Sequence, residues 1–295
     1  MDGILVVDKP EGPTSAAVVR EAQKLLRTKV GHLGTLDPLA TGVLPLCVGE
    51  GTKVSQFLVG AEKEYEGKIR LGKRTDTGDL AGQVVEEAPV PPIDASECRR
   101  VAAQFEGKRL QVPPMHSAIK REGVPLYKLA RRGIEVRREA RPVEIFELGL
   151  EPDGPDRLAF RVVCSKGTYV RVLAEEIARA LGTVGVLEKL RRLRFGPFRI
   201  ERALAFPFAA DEARERMVGL REALEGLPEW HLAQEPARRA RQGQVSVLLG
   251  LPRPPGPDSL AKLVDPEGRL VAVLRADARG NWTYARVFPS RPAGA

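Results

Sequence analysis

The segment from Glu64 to Gly72 constrains the fold most. Tyr65, Ile69 and Leu71 alternate with Glu66, Lys68 and Arg70, and an apolar row opposite a charged row is the pattern of a half-buried strand. Such a strand requires a sheet with apolar material laid against one side. Further strand patterns follow at Ile4–Val7, Val43–Val48 and Leu158–Cys164. Helical periodicity separates them. Thr14 or Ser15 can cap a helix through Val18, Ala22 and Leu25 to about Thr28, and Asp94 with Glu97 fits a capping box that ends at Gly107. The clearest helix follows Thr168, its expected cap, with Val170, Leu173, Ala174, Ile177 and Leu181 on one face and Gly182 closing it. Tyr169 and Arg171 then fall in its first turn.

After about Leu227 the texture changes. Gln244–Leu249, Ala261–Val264, Arg269–Leu274 and Trp282–Phe288 read as short strands, with a turn at Asp265–Gly268 and a Pro-rich loop at 252–257. At 295 residues, and with roughly 100–200 residues per domain, the chain is expected to divide at about 1–227 and 228–295, the second part a small β-barrel-like module.

Charge points to the class of partner. The 47 Lys and Arg against 39 Asp and Glu give +8. Between Arg99 and Pro142 there are 12 basic and 4 acidic residues, so this block holds the whole excess. A solvated surface explains such a block as well as a phosphate-gripping insertion at about 113–142 does. No apolar run is long enough to span a membrane, and Met1-Asp2-Gly3-Ile4 lacks the pattern of a secretory signal, which predicts a cytoplasmic protein. Cys47, Cys98 and Cys164 form no C-x-x-C pair, and Cys47 lies in an apolar run where a thiol is inert. His32, His116 and His231 have no metal-binding spacing, so no metal is expected. Gly67 to Arg74 matches a phosphate-binding P-loop except that arginine replaces the last hydroxyl. It also lies on a strand pattern, where no helix N-terminus meets a phosphate.

The loop Gly31-His32-Leu33-Gly34-Thr35-Leu36-Asp37-Pro38 breaks both periodicities and carries a carboxylate between apolar segments. Its local sequence leaves two readings of Asp37, an Asx-turn cap or a reactive group. The stretch from Gly31 to Leu44 resembles the catalytic segment of the TruB-type tRNA pseudouridine synthases. Further segments match that family in order: Asp8-Lys9-Pro10 with Gly12 and Thr14-Ser15; Tyr65 with Arg74–Thr77; Pro113–Met115 with Ser117-Ala118; Cys164–Arg171; and Leu190-Arg191-Arg192. Together they span about residues 4–200, and the tail is similar to the family's PUA RNA-binding module.

The resemblance implies an α+β catalytic domain on a mixed, largely antiparallel sheet. It implies a cofactor-free isomerase acting on the T stem-loop of tRNA, at the uridine called position 55, with Asp37 as its essential carboxylate. Arg171 resembles the arginine that pairs with that aspartate and keeps it oriented. Tyr65 resembles the ring that stacks on the uracil and assists loss of the C5 proton, while His32, Tyr169 and Leu190 match residues around the flipped base. Lys9 and Pro10 match positions that shape the site. The basic block corresponds to a thumb-like insertion, in which Lys120, Arg121, Lys128, Arg131 and Arg132 are the expected phosphate contacts. A non-catalytic RNA binder is the competing class, but it has no need of an Asp37–Arg171 pair. No heptads or long exposed apolar stripe occur, so a monomer is expected.

Overall fold

The computed structural model describes residues 1–289 except 118, 122 and 131. Its first elements are β1 (Gly3–Lys9), α1 (Ser15–Leu26), β2 (Val30–His32), β3 (Thr41–Val48), α2 (Gly51–Leu58) and β4 (Lys63–Leu71). A hairpin of β5 (Lys73–Thr75) and β6 (Val84–Glu87) leads to α3 (Ala95–Phe105) and β7 (Gly107–Gln111). The basic insertion holds a second hairpin, β8 (Lys120–Arg121) with β9 (Val124–Pro125), and the short helix α4 (Leu126–Ala130). Then come β10 (Arg141–Pro152), β11 (Arg157–Cys164), α5 (Val170–Ala180), β12 (Gly185–Phe195), β13 (Phe198–Arg199), β14 (Leu204–Ala205) and α6 (Ala210–Glu215). The last elements are β15 (Glu229–His231), α7 (Gln234–Arg241), β16 (Leu260–Val264), β17 (Leu270–Ala276) and β18 (Trp282–Val287).

One mixed sheet in the order β14-β1-β3-β12-β4-β11-β10-β7 organises the molecule. Antiparallel ladders join β1 to β3 and run from β12 through β4, β11 and β10 to β7. The two halves meet at β3 and β12, which are parallel and pair only at Thr41 with Arg191 and Gly42 with Arg192. Before that junction the edge of β12 meets the turn at Gly78-Asp79 instead of β3, with Leu187 bridged to Asp79, so the sheet is split there.

One face of the sheet buries Leu5, Val7, Leu44, Ile69 and Val162 beneath α1, α3 and α5. Helix α5 contributes Val170, Leu173 and Ile177, each worth roughly 1.5–3 kcal/mol on burial. On the other face, Ile4, Val6, Val43 and Cys47 pack with Val54 and Leu58 of α2 and with Leu270, Val273 and Phe288 near the C-terminus. The C-terminal segment thus shares a core with the first strand. Its own sheet, β15-β16-β17-β18, is backed by Ala237 and Ala240 of α7.

Most expected elements form, with local differences. Thr14 caps α1 by accepting from Ala17 N at 3.1 Å, but the helix stops at Leu26 because Arg27 turns left-handed at φ 49°. Asp94 caps α3 through Ser96 and Glu97. Thr168 does not cap α5: its hydroxyl donates to Ser165 O at 3.1 Å, and Tyr169 is the cap residue. Gln244–Leu249 is not a strand either. Residues Val245–Gly250 form a 3-10 turn that buries only Leu248, so its exposed Val245 and Leu249 gave a strand-like pattern without a sheet partner. No helix among the described residues is long and apolar enough to cross a membrane.

Candidate active site

Loop 33–40 is held at the split by three anchors. Buried Ser15, at the start of α1, accepts from Leu36 N at 2.8 Å and donates to Leu36 O at 2.9 Å. Lys9, fully buried at the end of β1, donates from Nζ to Pro10 O at 2.8 Å and to Pro38 O at 3.3 Å. Gly12 N donates to Pro38 O at 2.9 Å, and Ala40 N closes a turn on Asp37 O at 3.0 Å. With the backbone fixed on both sides, Asp37 keeps its side chain 41% exposed. It is a carboxylate open to a ligand.

Arg171 meets it from the first turn of α5. The Nε lies 3.0 Å from Asp37 Oδ2, while Nη1 donates to Thr77 O and Nη2 to His116 O, each at 2.7 Å. A second carboxylate oxygen, Asp79 Oδ2, stands 4.0 Å from Nη1. Asp79 is fixed through Oδ1, which accepts from Thr77 Oγ1 and Ala81 N, and Leu187 N of β12 donates to Gly78 O beside it. The guanidinium is buried and fully engaged, so it orients Asp37 instead of moving with it.

Two tyrosines flank this pair. Tyr65 lies opposite Arg192 on neighbouring strands and is buried, which pushes its phenol up; the charge of Arg192 works the other way. Tyr169 precedes α5, its N–H donating to Gln111 Oε1 at 2.7 Å and its carbonyl accepting from Gln111 Nε2 at 3.2 Å. Burial pushes that phenol up too, against the nearby charges of Arg141 and Arg171. Both rings sense the charge of Asp37. His32 ends β2 with Nδ1 buried and without a partner among the described residues, and burial followed by the Arg192 charge lowers its pKa. Burial also lowers Lys9 to about 8, with Asp37 opposing the shift.

Leu190 lies beside a cavity of about 530 Å³ whose walls include Leu39, Thr41, Phe160 and Arg191. The cavity extends over the charged face of β4, β10 and β11 and is not lined by Asp37 or Arg171. Asp37 lies at its margin, two residues from Leu39.

The structure thus gathers Asp37, Arg171, Tyr65, Tyr169, His32, Lys9 and Leu190 around one loop. It leaves the basic insertion outside this group, joined to it through His116 and Ser117. Arg121 lines a second cavity of about 500 Å³ with Arg137, Arg138 and Arg141. Lys128 lies on α4, and Arg132 N bonds Leu129 O just after it. Arg131 and the side chain of Lys120 lie outside the described residues. Sequence reasoning missed Asp79, Gln111 and Arg192 as site residues. Asp79 was visible as a turn residue and Arg192 as part of a matched segment, but Gln111 carried no signal. No three His, Cys, Asp or Glu side chains converge as a metal site among the described residues. Cys47 is inert, its thiol pushed up to about 12 by burial.

Comparison with known proteins gives a consistent answer. The model of the TruB family pseudouridylate synthase (N terminal domain) matches residues 22–170. The chain is 46% identical over 292 residues to a tRNA pseudouridine synthase B of Aromatoleum aromaticum, covering 97% of this chain and 92% of that one. It is 42% identical to a protein of the same name from Syntrophotalea carbinolica, with 99% and 94% covered. Among solved structures, a chain of a Cbf5-Nop10-Gar1 complex superposes with TM-score 0.72 at 25% identity, over 97% of this chain and 85% of that chain.

Proposed function

The chain belongs to the TruB family of pseudouridylate synthases, and from that premise we propose that it converts uridine to pseudouridine in tRNA, at position 55 of the T loop. The observation that carries this reading is the Asp37–Arg171 pair, 3.0 Å apart, with Asp37 on a loop anchored at Leu36 and Pro38 and its carboxylate 41% exposed. In the isomerisation C1′–N1 breaks, the uracil turns, C1′–C5 forms, and the C5 proton is lost as N1 gains one. No atom is added, so a cofactor is not required. Asp37 serves either as a nucleophile toward base or sugar, or as the base that takes the ribose 2′ proton to give a glycal. Arg171 fixes it for either role.

The uridine must leave its stacked loop to reach this site. Tyr65, Tyr169, His32 and Leu190 supply the ring, polar and apolar walls that receive it. The insertion at 113–142 grips the T arm by phosphate contacts from Lys120, Arg121, Lys128, Arg131 and Arg132. Residues 1–227 form the catalytic part, and 228–295 act as a PUA-like RNA-binding module.

The test is tritium release from C5-labelled uridine in an unmodified tRNA transcript, with chelator present. The parent is expected to release about one tritium per tRNA, and Asp37→Asn none while still binding. Binding by both without release would make the protein an RNA binder and overturn the isomerase reading.

A further inference from the structure

Gln111, the last residue of β7, is a polar side chain only 2% exposed, and both ends of its amide are spent on one residue. Oε1 accepts from Tyr169 N at 2.7 Å and Nε2 donates to Tyr169 O at 3.2 Å, so the amide stands beside Tyr169 as a neighbouring strand would. A backbone N–H only donates and a carbonyl only accepts, which leaves the amide a single orientation. Burying an amide is costly unless both ends are satisfied, and an apolar side chain of similar volume would fill the space without that demand. The contact therefore serves the backbone that it grips.

What it grips is the entry to α5. Tyr169 is the cap residue of that helix and offers no side-chain cap, while its carbonyl also accepts from Leu173 N at 3.0 Å and so opens the helical ladder. Arg171, with Nε at 3.0 Å from Asp37 Oδ2, lies two residues further on. The loop 165–169 is held from its other end as well: Ser165 N donates to Glu144 O at 2.9 Å, and Ser165 Oγ accepts from Glu144 N at 2.8 Å. Gln111 is on β7 and Glu144 on β10, the two strands that carry the basic insertion, and Gln111 pairs with Arg141 at their last rung. Five residues beyond Gln111, the His116 carbonyl accepts from Arg171 Nη2 at 2.7 Å. Both stalks of the insertion thus end on the segment that delivers Tyr169 and Arg171.

We infer that Gln111 is a positioning residue for the isomerisation, an amide clasp that fixes the Tyr169 backbone at the base of the insertion and so sets Arg171 against Asp37. The inference rests on the function proposed above. Asp37 must hold its direction while the base detaches and turns, and a displacement of about 1 Å in such a geometry costs on the order of a hundredfold in rate.

The test is Gln111→Glu, which keeps the shape of the side chain. One carboxylate oxygen still accepts from the Tyr169 N–H, but the other faces the Tyr169 carbonyl and has a proton to give only when the acid is neutral. Tritium-release kinetics are measured at pH 8 and pH 6 for the parent, for this variant and for Gln111→Met, with circular dichroism confirming the fold. At pH 8 both variants are expected to show a kcat lower by about 10–100-fold with the KM for tRNA within about threefold. At pH 6 a buried carboxyl facing a carbonyl regains its proton, so Gln111→Glu is expected to recover at least about fivefold relative to the parent while Gln111→Met does not. Loss of packing alone would not be reversed by a proton. A kcat within about twofold of the parent in either variant at pH 8, a loss confined to KM, or a Gln111→Glu deficit equal at the two pH values overturns the inference. Failure of the isomerase reading is seen separately, as a parent that releases no tritium or an Asp37→Asn variant that still does. If the variants do not fold, hydrogen exchange in the parent decides. A clasped Tyr169 N–H is protected like the amides of β7, and exchange at the rate of an open loop overturns the inference.

Discussion

Lys9 and Lys63 are lysines in places where lysine is unusual, and they make the protein's alkaline behaviour specific. Burial pushes both down to about 8 from an ordinary 10.5, so each gives up its proton more readily folded than unfolded. Between pH about 8 and 10.5 the unfolded chain therefore binds more protons, and stability contributed by these groups rises with pH. The buried thiols oppose this. Cys47 is pushed up to about 12 and Cys164 to about 11 from 9.0, so they withdraw stability once unfolded thiols ionise above about pH 9. Unfolding free energies from urea titrations at pH 7.5, 8.25 and 9 are expected to climb by roughly 1 kcal/mol overall. A flat profile would mean that the two ammonium groups are better solvated than their burial implies.

At the scale of elements, the turn between β16 and β17 rests on a single carboxylate. Asp265 is almost fully buried, and its desolvation is outweighed by hydrogen bonds from the Arg269 backbone and from the Arg241 and Arg269 side chains, which hold it at about 2. A depressed carboxyl contributes stability above its unfolded pKa of 3.8 and loses it as pH falls toward 2. Asp265→Asn is expected to cost about 2 kcal/mol at pH 7, read from chemical denaturation, and to weaken the acid transition between pH 4 and 2. The turn itself was legible, because Asp-Pro-Glu-Gly encodes it locally. So were the half-buried β4 and the amphipathic α5, since each carries its periodicity within a dozen residues. Arg192 was not, because burial here separates it from Arg191, which pairs with Asp8, through strand pairing and a bulge in β12. Asp79 was hidden for a similar reason: the contact of Gly78 with Leu187 that delivers it lies over a hundred residues away in sequence. The residues that resemble a family could be named from sequence, whereas the residues that hold them in place required the fold.

For the whole molecule, charge and chemistry are separated in space. The basic block from Arg99 to Pro142 holds the excess positive charge, while the Asp37 loop lies in the split of the main sheet and its partner Arg171 reaches the insertion at His116 O. Affinity and rate are thus expected to respond to different substitutions. Lys128→Glu with Arg132→Glu should weaken tRNA binding about tenfold or more at 0.15 M salt and lower the slope of log affinity against log salt by about 2. Turnover at saturating RNA should stay within about twofold. Filter binding at four salt concentrations checks this, and an unchanged slope removes the insertion from the phosphate contacts.

The shared core also sets a schedule for synthesis. Ile4 and Val6 leave the ribosome some 260 residues or more ahead of Leu270, Val273 and Phe288, which cover them. At about 5–20 residues per second the inner face of β1 waits many seconds for its partner, long after α1 has had time to form. The nascent chain thus carries an uncovered apolar strand until β17 and β18 are made, and protection of that strand belongs to whatever meets the polypeptide before then.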